Sequence, residues 1–428
     1  MKLNIGKPQI KGDKIIWIVY FGLSILSLIF VFSTMGKNIY RLDGDVSYMF
    51  FKQIGIICVG IFATYIAHRI KYDNYARVLK LLYAISVVGL FVTLGIGEMF
   101  GKAANRWIEL PFIGQFQPSE IVKYVLILYV ASELASLKDR IKETKEFVIL
   151  MIKISAICGL IFPENFSTAA LLFLACFLMV FVAGAKLKHL FMTIVVGVSL
   201  VAFVFLLSYF GIEIGRNITW LNRFVAHYNG DPNEYNQANS AIMAIATGGL
   251  SGLGIGNTVE GRFLSESHND FIFAIILEEG GIFMCVLILL AYFALFYRCI
   301  AVSRNAKGLF GKYIVLGIAF VIIIQALINM TVATGIIPVT GQTLPFLSYG
   351  GTSFLFSSCA LGVVLNVSAE SQKKKQNTMV ATNEEENQIE KEITEILLTI
   401  PNLPNNEVPE GRTAEDNVVE KTGGNLED

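Results

Sequence analysis

Apolar blocks, most of them about the 17–25 residues that a helix needs to cross a bilayer, constrain this chain more than any other feature of it. There are ten, near 15–33, 53–67, 79–96, 119–137, 147–162, 168–184, 190–210, 271–299, 313–334 and 344–367. A backbone inside lipid must satisfy its own polar groups, so blocks of this length are read as helices. The expectation is an all-α integral membrane protein of ten transmembrane helices. Composition agrees, with 54% hydrophobic and 16% charged residues. Lys+Arg and Asp+Glu are equal at 34 each, so no charge excess points to nucleic acid as a partner. The six cysteines all lie inside the apolar blocks and read as small packing residues, not as disulfides or metal ligands. The run from Ile15 to Phe32 is long for a signal-peptide core and no small-residue cleavage site follows, so it reads as a retained span.

The connections between blocks alternate in charge. Arg69, Lys71, Arg77 and Lys80 fall on one side, as do Lys138, Arg140, Lys142 and Lys145, then Lys186 and Lys188, then Arg298, Arg304, Lys307 and Lys312, then Lys373–Lys375. The opposite connections are poorer in Lys and Arg, and the loop over 335–343 has none. The positive-inside rule then puts both termini in the cytoplasm. Residues 1–14 become a cytoplasmic segment, 15–367 the membrane domain, and about 211–270 one large extracytoplasmic loop between the seventh and eighth spans. The tail over 368–428 carries Lys373–Lys375, then Glu384–Glu386, then Asn-, Pro- and Gly-rich sequence, and reads as a disordered cytoplasmic tail. Within it, Ile389 to Ile400 has helix-like apolar spacing and could dock a partner.

Polar residues gather in four places on the expected outer face. Arg106 and Trp107 precede Gln117-Pro118-Ser119-Glu120, with Lys123 three residues on along the fourth helix. Pro118 suits a first helical turn, and Glu120 and Lys123 share a helix face. They make either a capped end with an ion pair or a site, since a lysine inside an apolar span is costly. The large loop brings Arg216, Trp220, Arg223, His227 and Tyr228, and its glycines at 248, 249, 252, 254 and 256 are expected to shape a loop lying against the membrane. His268-Asn269-Asp270 opens the eighth span, with Glu278 and Glu279 eight and nine residues further on. At 1.5 Å per residue those two acids lie about 12–14 Å below the lip, where carboxylates must find internal partners or become protonated. Pro338 to Ser353, including Ser348-Tyr349-Gly350, is too rich in helix breakers for a lipid-facing helix and implies a cavity open to the outer face.

These blocks resemble the SEDS family (shape, elongation, division and sporulation), and within it the FtsW/RodA group. The resemblance covers about 15–367. It rests on Arg106-Trp107-Ile108 with Gln117-Pro118-Ser119-Glu120, on Asp270-Phe271-Ile272-Phe273-Ala274 with Glu278-Glu279, and on Pro338–Ser353, in the family's order. Members of the family polymerise lipid II, an undecaprenyl-diphosphate-linked disaccharide-pentapeptide, into glycan strands. They act beside a class B penicillin-binding protein, a transpeptidase. The resemblance implies a peptidoglycan glycosyltransferase in a bacterial cytoplasmic membrane, with Asp270 as the essential aspartate and Trp107 as a conserved tryptophan. Two departures stand out. Pro163-Glu164-Asn165-Phe166-Ser167-Thr168 replaces the family's Gln-Pro-Asp and Gly-Thr, and His268-Asn269-Asp270 replaces its His-Thr-Asp. Thr340-Gly341-Gln342-Thr343-Leu344-Pro345 and the long tail look closer to the division-type branch, which would add other cell-division membrane proteins as partners. An elongation-type, cell-shape polymerase is the alternative within the group.

The chemistry fits these residues. A diphosphate is a good leaving group, so one carboxylate acting as base on the acceptor hydroxyl suffices. Asp270 is the expected base; its alternative role is a cap on the eighth helix. Arg106, Lys123, Arg216 and Arg223 are candidates to hold the diphosphate, with Glu120 and His268 beside them. Glu278, Glu279, Ser348, Tyr349 and Gly350 form a supporting network. A divalent cation, magnesium or manganese, could share the diphosphate, although no ligand cluster in the sequence demands one. A lipid II flippase and a recruiting scaffold are the competing functions. A flippase needs polar residues through the full membrane depth, whereas a transferase concentrates acids at the outer lip.

Overall fold

The computed structural model describes residues 11–37, 46–99, 108–110, 114–212, 215–229, 236–262, 264 and 267–399. Among the described residues the regular elements are helices, apart from one antiparallel hairpin of β1 (Ile108–Leu110) and β2 (Gly114–Phe116), paired Ile108 to Phe116. Each of the ten apolar blocks falls on a helix, the last of them only from Gly351 on: α1 (Lys14–Lys37), α2 (Val46–Arg69), α3 (Tyr72–Met99), α4 (Pro118–Leu137), α5 (Thr144–Ile161), α6 (Phe166–Val182), α7 (Leu187–Tyr209), α10 (Ile272–Arg304), α11 (Leu309–Ala333) and α12 (Gly351–Thr399). Among the described residues seven helices are long and apolar enough to cross a membrane, namely α1, α2, α3, α7, α10, α11 and the first part of α12. At 17 residues α6 is shorter. Helices α4 and α5 hold charges: Glu133 of α4 takes Lys153 of α5 at 2.7 Å, and Glu120 takes Lys123 within α4. Pairing of this kind is what lets a charged residue sit inside a helical bundle.

Burial ranks the helices. In α11, 72% of the apolar window is inside the bundle, against 6% for α7. The outward faces of α7 are Phe191, Val195, Val198 and Phe203, a surface fit for lipid. The α11 helix packs against α4, α6 and α10, and α1 packs against α10. Tyr20 of α1 donates to Ser358 of α12 at 2.8 Å, so the first and last apolar blocks close on each other. Before α1, Asp13 caps the helix through the Ile15 and Ile16 N–H groups and also takes the Arg298 guanidinium of α10.

Two expectations change. The segment over 211–270 is not plain loop, because it contains α8 (Asn217–Asn229) and α9 (Asn236–Gly248), and α9 packs along α10. The tail, expected to lack structure from 368, continues as helix to Thr399. From 363 to 399 it holds neither glycine nor proline and is rich in Glu, Lys and Gln, which favours helix. The chain divides into two compact units at Gln372, so the helix beyond Lys373 belongs to the second.

Candidate functional site

Asp270 lies on the turn that leads into α10. The helix takes Phe271 as its N-cap, and Asp270 stands one residue ahead of it. The three carbonyls of the turn are bonded one after another. His268 O accepts from the Tyr349 N–H at 2.9 Å. Asn269 O accepts from the Ser348 hydroxyl at 2.7 Å. Asp270 O accepts from the Asn329 amide at 2.7 Å. Buried backbone carbonyls need such partners, and here each comes from α11 or from the breaker-rich segment ahead of α12. That segment is irregular backbone within the bundle, bonded to protein and not lying against lipid. The Ser348 hydroxyl also receives the Leu344 N–H at 2.7 Å, which folds the segment back on itself. The His268 and Tyr349 rings meet edge to face at 5.4 Å, and the Gly350 carbonyl receives the Phe354 N–H at the start of α12.

Gly341 comes up against the Asp270 side chain. A Cβ there would lie 3.4 Å from Asp270 Oδ2, and the glycine holds φ 68, a conformation costly for other residues. Phe346 also has positive φ, 65, although it has a side chain. Its ring is buried edge-on against Tyr20 and Phe354, and that packing opposes the backbone strain.

A second layer joins this turn to α4 and α6. Gln325 and Asn329 sit one turn apart on α11. Asn329 also gives its amide to Gln342 O at 2.7 Å, and Gln325 gives its own to Thr343 O at 3.0 Å. The Gln325 oxygen receives Lys123 Nζ at 2.9 Å, and the same ammonium meets Glu120 at 2.9 Å. Lys123 is 1% exposed, so its charge is spent inside the bundle. The Gln342 side chain reaches Thr168 at 2.9 Å. The Thr168 N–H is in turn held by Asn165, which caps α6. The departure from the family's acid at 165 therefore keeps a helix cap, since asparagine is among the best capping residues. Next to it, burial raises the Glu164 carboxyl above the usual carboxylate range.

Glu278 and Glu279 are fully buried and partnered, as their depth required. Glu278 accepts from the Val259 and Glu260 N–H groups at 2.7 and 2.9 Å and from the Thr258 hydroxyl. Glu279 accepts from the Ser33 hydroxyl of α1 and the Thr258 N–H. The helix breaks just beyond them at Gly281, with φ 65. The glycine run, expected to shape a loop lying against the membrane, packs on this break. Leu253 N–H bonds Glu278 O and Gly254 N–H bonds Glu279 O, both at 2.9 Å, while Gly249 O takes the Ile282 N–H at 3.1 Å. A kink frees backbone groups, and here the glycine loop satisfies them.

The other expected site residues are spread more widely. Arg223 gives a guanidinium N–H to Val339 O at 3.1 Å, which ties α8 to the segment bearing Gly341. Arg216 opens α8, its N–H on Pro163 O. Arg106 and Trp107 lie outside the described residues. Among the described residues no three His, Cys, Asp or Glu side chains come together. Sequence reasoning passed over Gln325, Asn329, Gln342 and Thr168. The available signal was the pair of amides at 325 and 329, spaced to share one face of an otherwise apolar span.

A polytopic helical bundle whose acidic turn is pinned by a breaker-rich segment makes this a multi-pass membrane protein with a polar site built into its helices. Residues 13–373 match the family model described as cell cycle protein, the FtsW/RodA/SpoVE family, and this chain belongs to that family. It is 32% identical to the "Probable peptidoglycan glycosyltransferase FtsW" of Coxiella burnetii over 83% of this chain and 96% of the relative. It is 34% identical to the "Stage V sporulation protein E" of Bacillus subtilis, again over 83% and 96%. Its fold matches a chain of a peptidoglycan synthase complex that coordinates polymerization and crosslinking, with TM-score 0.67 and 23% identity over 84% of this chain and 98% of that one.

Proposed function

We propose that this chain polymerises lipid II into glycan strands at the outer face of the bacterial cytoplasmic membrane, with Asp270 as the base. One observation carries the reading. The Asp270 turn is fixed by bonds to three consecutive backbone carbonyls, and its carboxylate lies against Gly341 of the breaker-rich segment. In the reaction, Asp270 takes the proton of the acceptor hydroxyl as its oxygen forms a bond to the donor's anomeric carbon. The bond from that carbon to the diphosphate breaks, undecaprenyl diphosphate leaves, and a single displacement inverts the centre. A positioned base of this kind contributes about 10²–10⁴-fold.

All ten apolar helices cross the membrane in this reading, with both termini cytoplasmic and the segment carrying α8 and α9 outside, as the charge alternation requires. Arg106, Arg216 and Arg223 serve the diphosphate. The partner is a class B penicillin-binding protein, in keeping with the complex whose chain shares this fold. The FtsW name of the Coxiella burnetii relative supports a role in septal wall synthesis alongside other division proteins. The sporulation name of the Bacillus subtilis relative favours a specialised division-like septum as the second reading.

Purified protein in vesicles with labelled lipid II, with and without a matching class B penicillin-binding protein, tests this. Glycan strands from the chain, made faster with the partner, are expected. Passage of lipid II between leaflets with no polymer under either condition would replace the transferase with a flippase.

A further inference from the structure

We infer that Asn329 is a positioning residue for Asp270, setting how far its carboxylate reaches over the site; this rests on Asp270 being the base. Asn329 stands inside α11 and is 1% exposed. One amide nitrogen gives 2.7 Å bonds to two carbonyls that belong to different parts of the chain, Asp270 O and Gln342 O. The first is the backbone of the base itself. The second adjoins Gly341, the residue that lies against the Asp270 carboxylate. A single side chain therefore fixes the spacing between the base and the surface it faces.

The rest of Asn329 argues against a packing role. Its Oδ1 is buried and takes no hydrogen bond from the described residues. A buried amide that uses only its donor half is poor cohesion, because the unused acceptor carries a desolvation cost. What the residue supplies is two N–H donors at one point. The neighbouring amide repeats the pattern: Gln325 donates to Thr343 and anchors the same segment one residue on. The other two carbonyls of the turn are held from that segment, by Ser348 and Tyr349. Asn329 instead ties the Asp270 residue directly to the rigid, buried α11 helix.

Asn329→Asp is the sharpest variant. It keeps the shape, removes both donors and sets a carboxylate oxygen against two carbonyls. Asn329→Ser, smaller and uncharged, is the companion if the aspartate variant folds poorly. Polymerisation of labelled lipid II is followed by initial rates, normalised to the monodisperse fraction in detergent. A misplaced base predicts kcat down about 10–100-fold with KM within about threefold. Asn329→Gln, which keeps the donors on a longer stem, should recover part of the rate. If Asn329→Asp or Asn329→Ser has wild-type kcat while Asp270→Asn is inactive, the positioning inference fails and the base stands. If Asp270→Asn itself polymerises normally, the base assignment fails first.

Discussion

Lys123 on α4 and Gln325 on α11 are bonded at 2.9 Å, with Glu120 completing the ammonium's surroundings at the same distance. A lysine at this depth reads from the sequence as a candidate diphosphate ligand, yet it sits wholly inside the protein. Its first task is to neutralise Glu120 and hold the amide that anchors Thr343. Lys123→Ala should strand a buried carboxylate and destabilise the fold by about 3–5 kcal/mol. Replacing both members, Glu120→Gln with Lys123→Met, should cost much less. Thermal unfolding in detergent measures this directly. Wild-type stability in Lys123→Ala with a raised KM for lipid II would return the lysine to the substrate.

Much of this site is legible in the amino-acid sequence. The acid block at 270, the depth of Glu278 and Glu279, and the irregular segment over 338–353 all announce themselves as polar or helix-breaking residues where lipid would forbid them. The connecting logic is less visible. Gln325 and Asn329 are neutral residues in a long apolar run, and nothing local tells a lipid-facing amide from one facing a partner segment. The contacts of the glycine run are hidden for a related reason. Glycine reports that backbone must come close to something, but not to what, and here it comes close to the backbone of α10.

The break in α10 yields its own prediction. Gly281 holds φ 65, and a Cβ there would meet Leu250 and Gly252 backbone, which cannot move aside as a flexible side chain could. Gly281→Ala should combine the positive-φ penalty with overpacking, about 2–5 kcal/mol in all. The variant should show reduced thermal stability and a loosened glycine loop, read as faster hydrogen exchange over 249–259. Unchanged protection there would mean that the loop does not depend on the kink.

Glu164 supplies a pH dependence. Burial raises its folded pKa above the unfolded value. The neutral form is thus the better accommodated one, and the stability associated with Glu164 is present below its unfolded pKa and lost as pH rises through the folded pKa. Glu164→Gln should therefore stabilise the protein at pH 7 and have little effect near pH 4. An equal effect at both values would show that burial does not hold the folded pKa above the unfolded one.

Whether Asp270 accepts a proton is decided by Asp270→Asn. Asparagine has nearly the same shape and leaves the backbone carbonyl free to keep its bond to Asn329, but it cannot act as a base at neutral pH. The account predicts a variant that is folded, monodisperse and able to bind its transpeptidase partner, yet makes no glycan from labelled lipid II. Robust polymer from that variant would contradict it and send the search for the base to Glu120, Glu278 or Glu279.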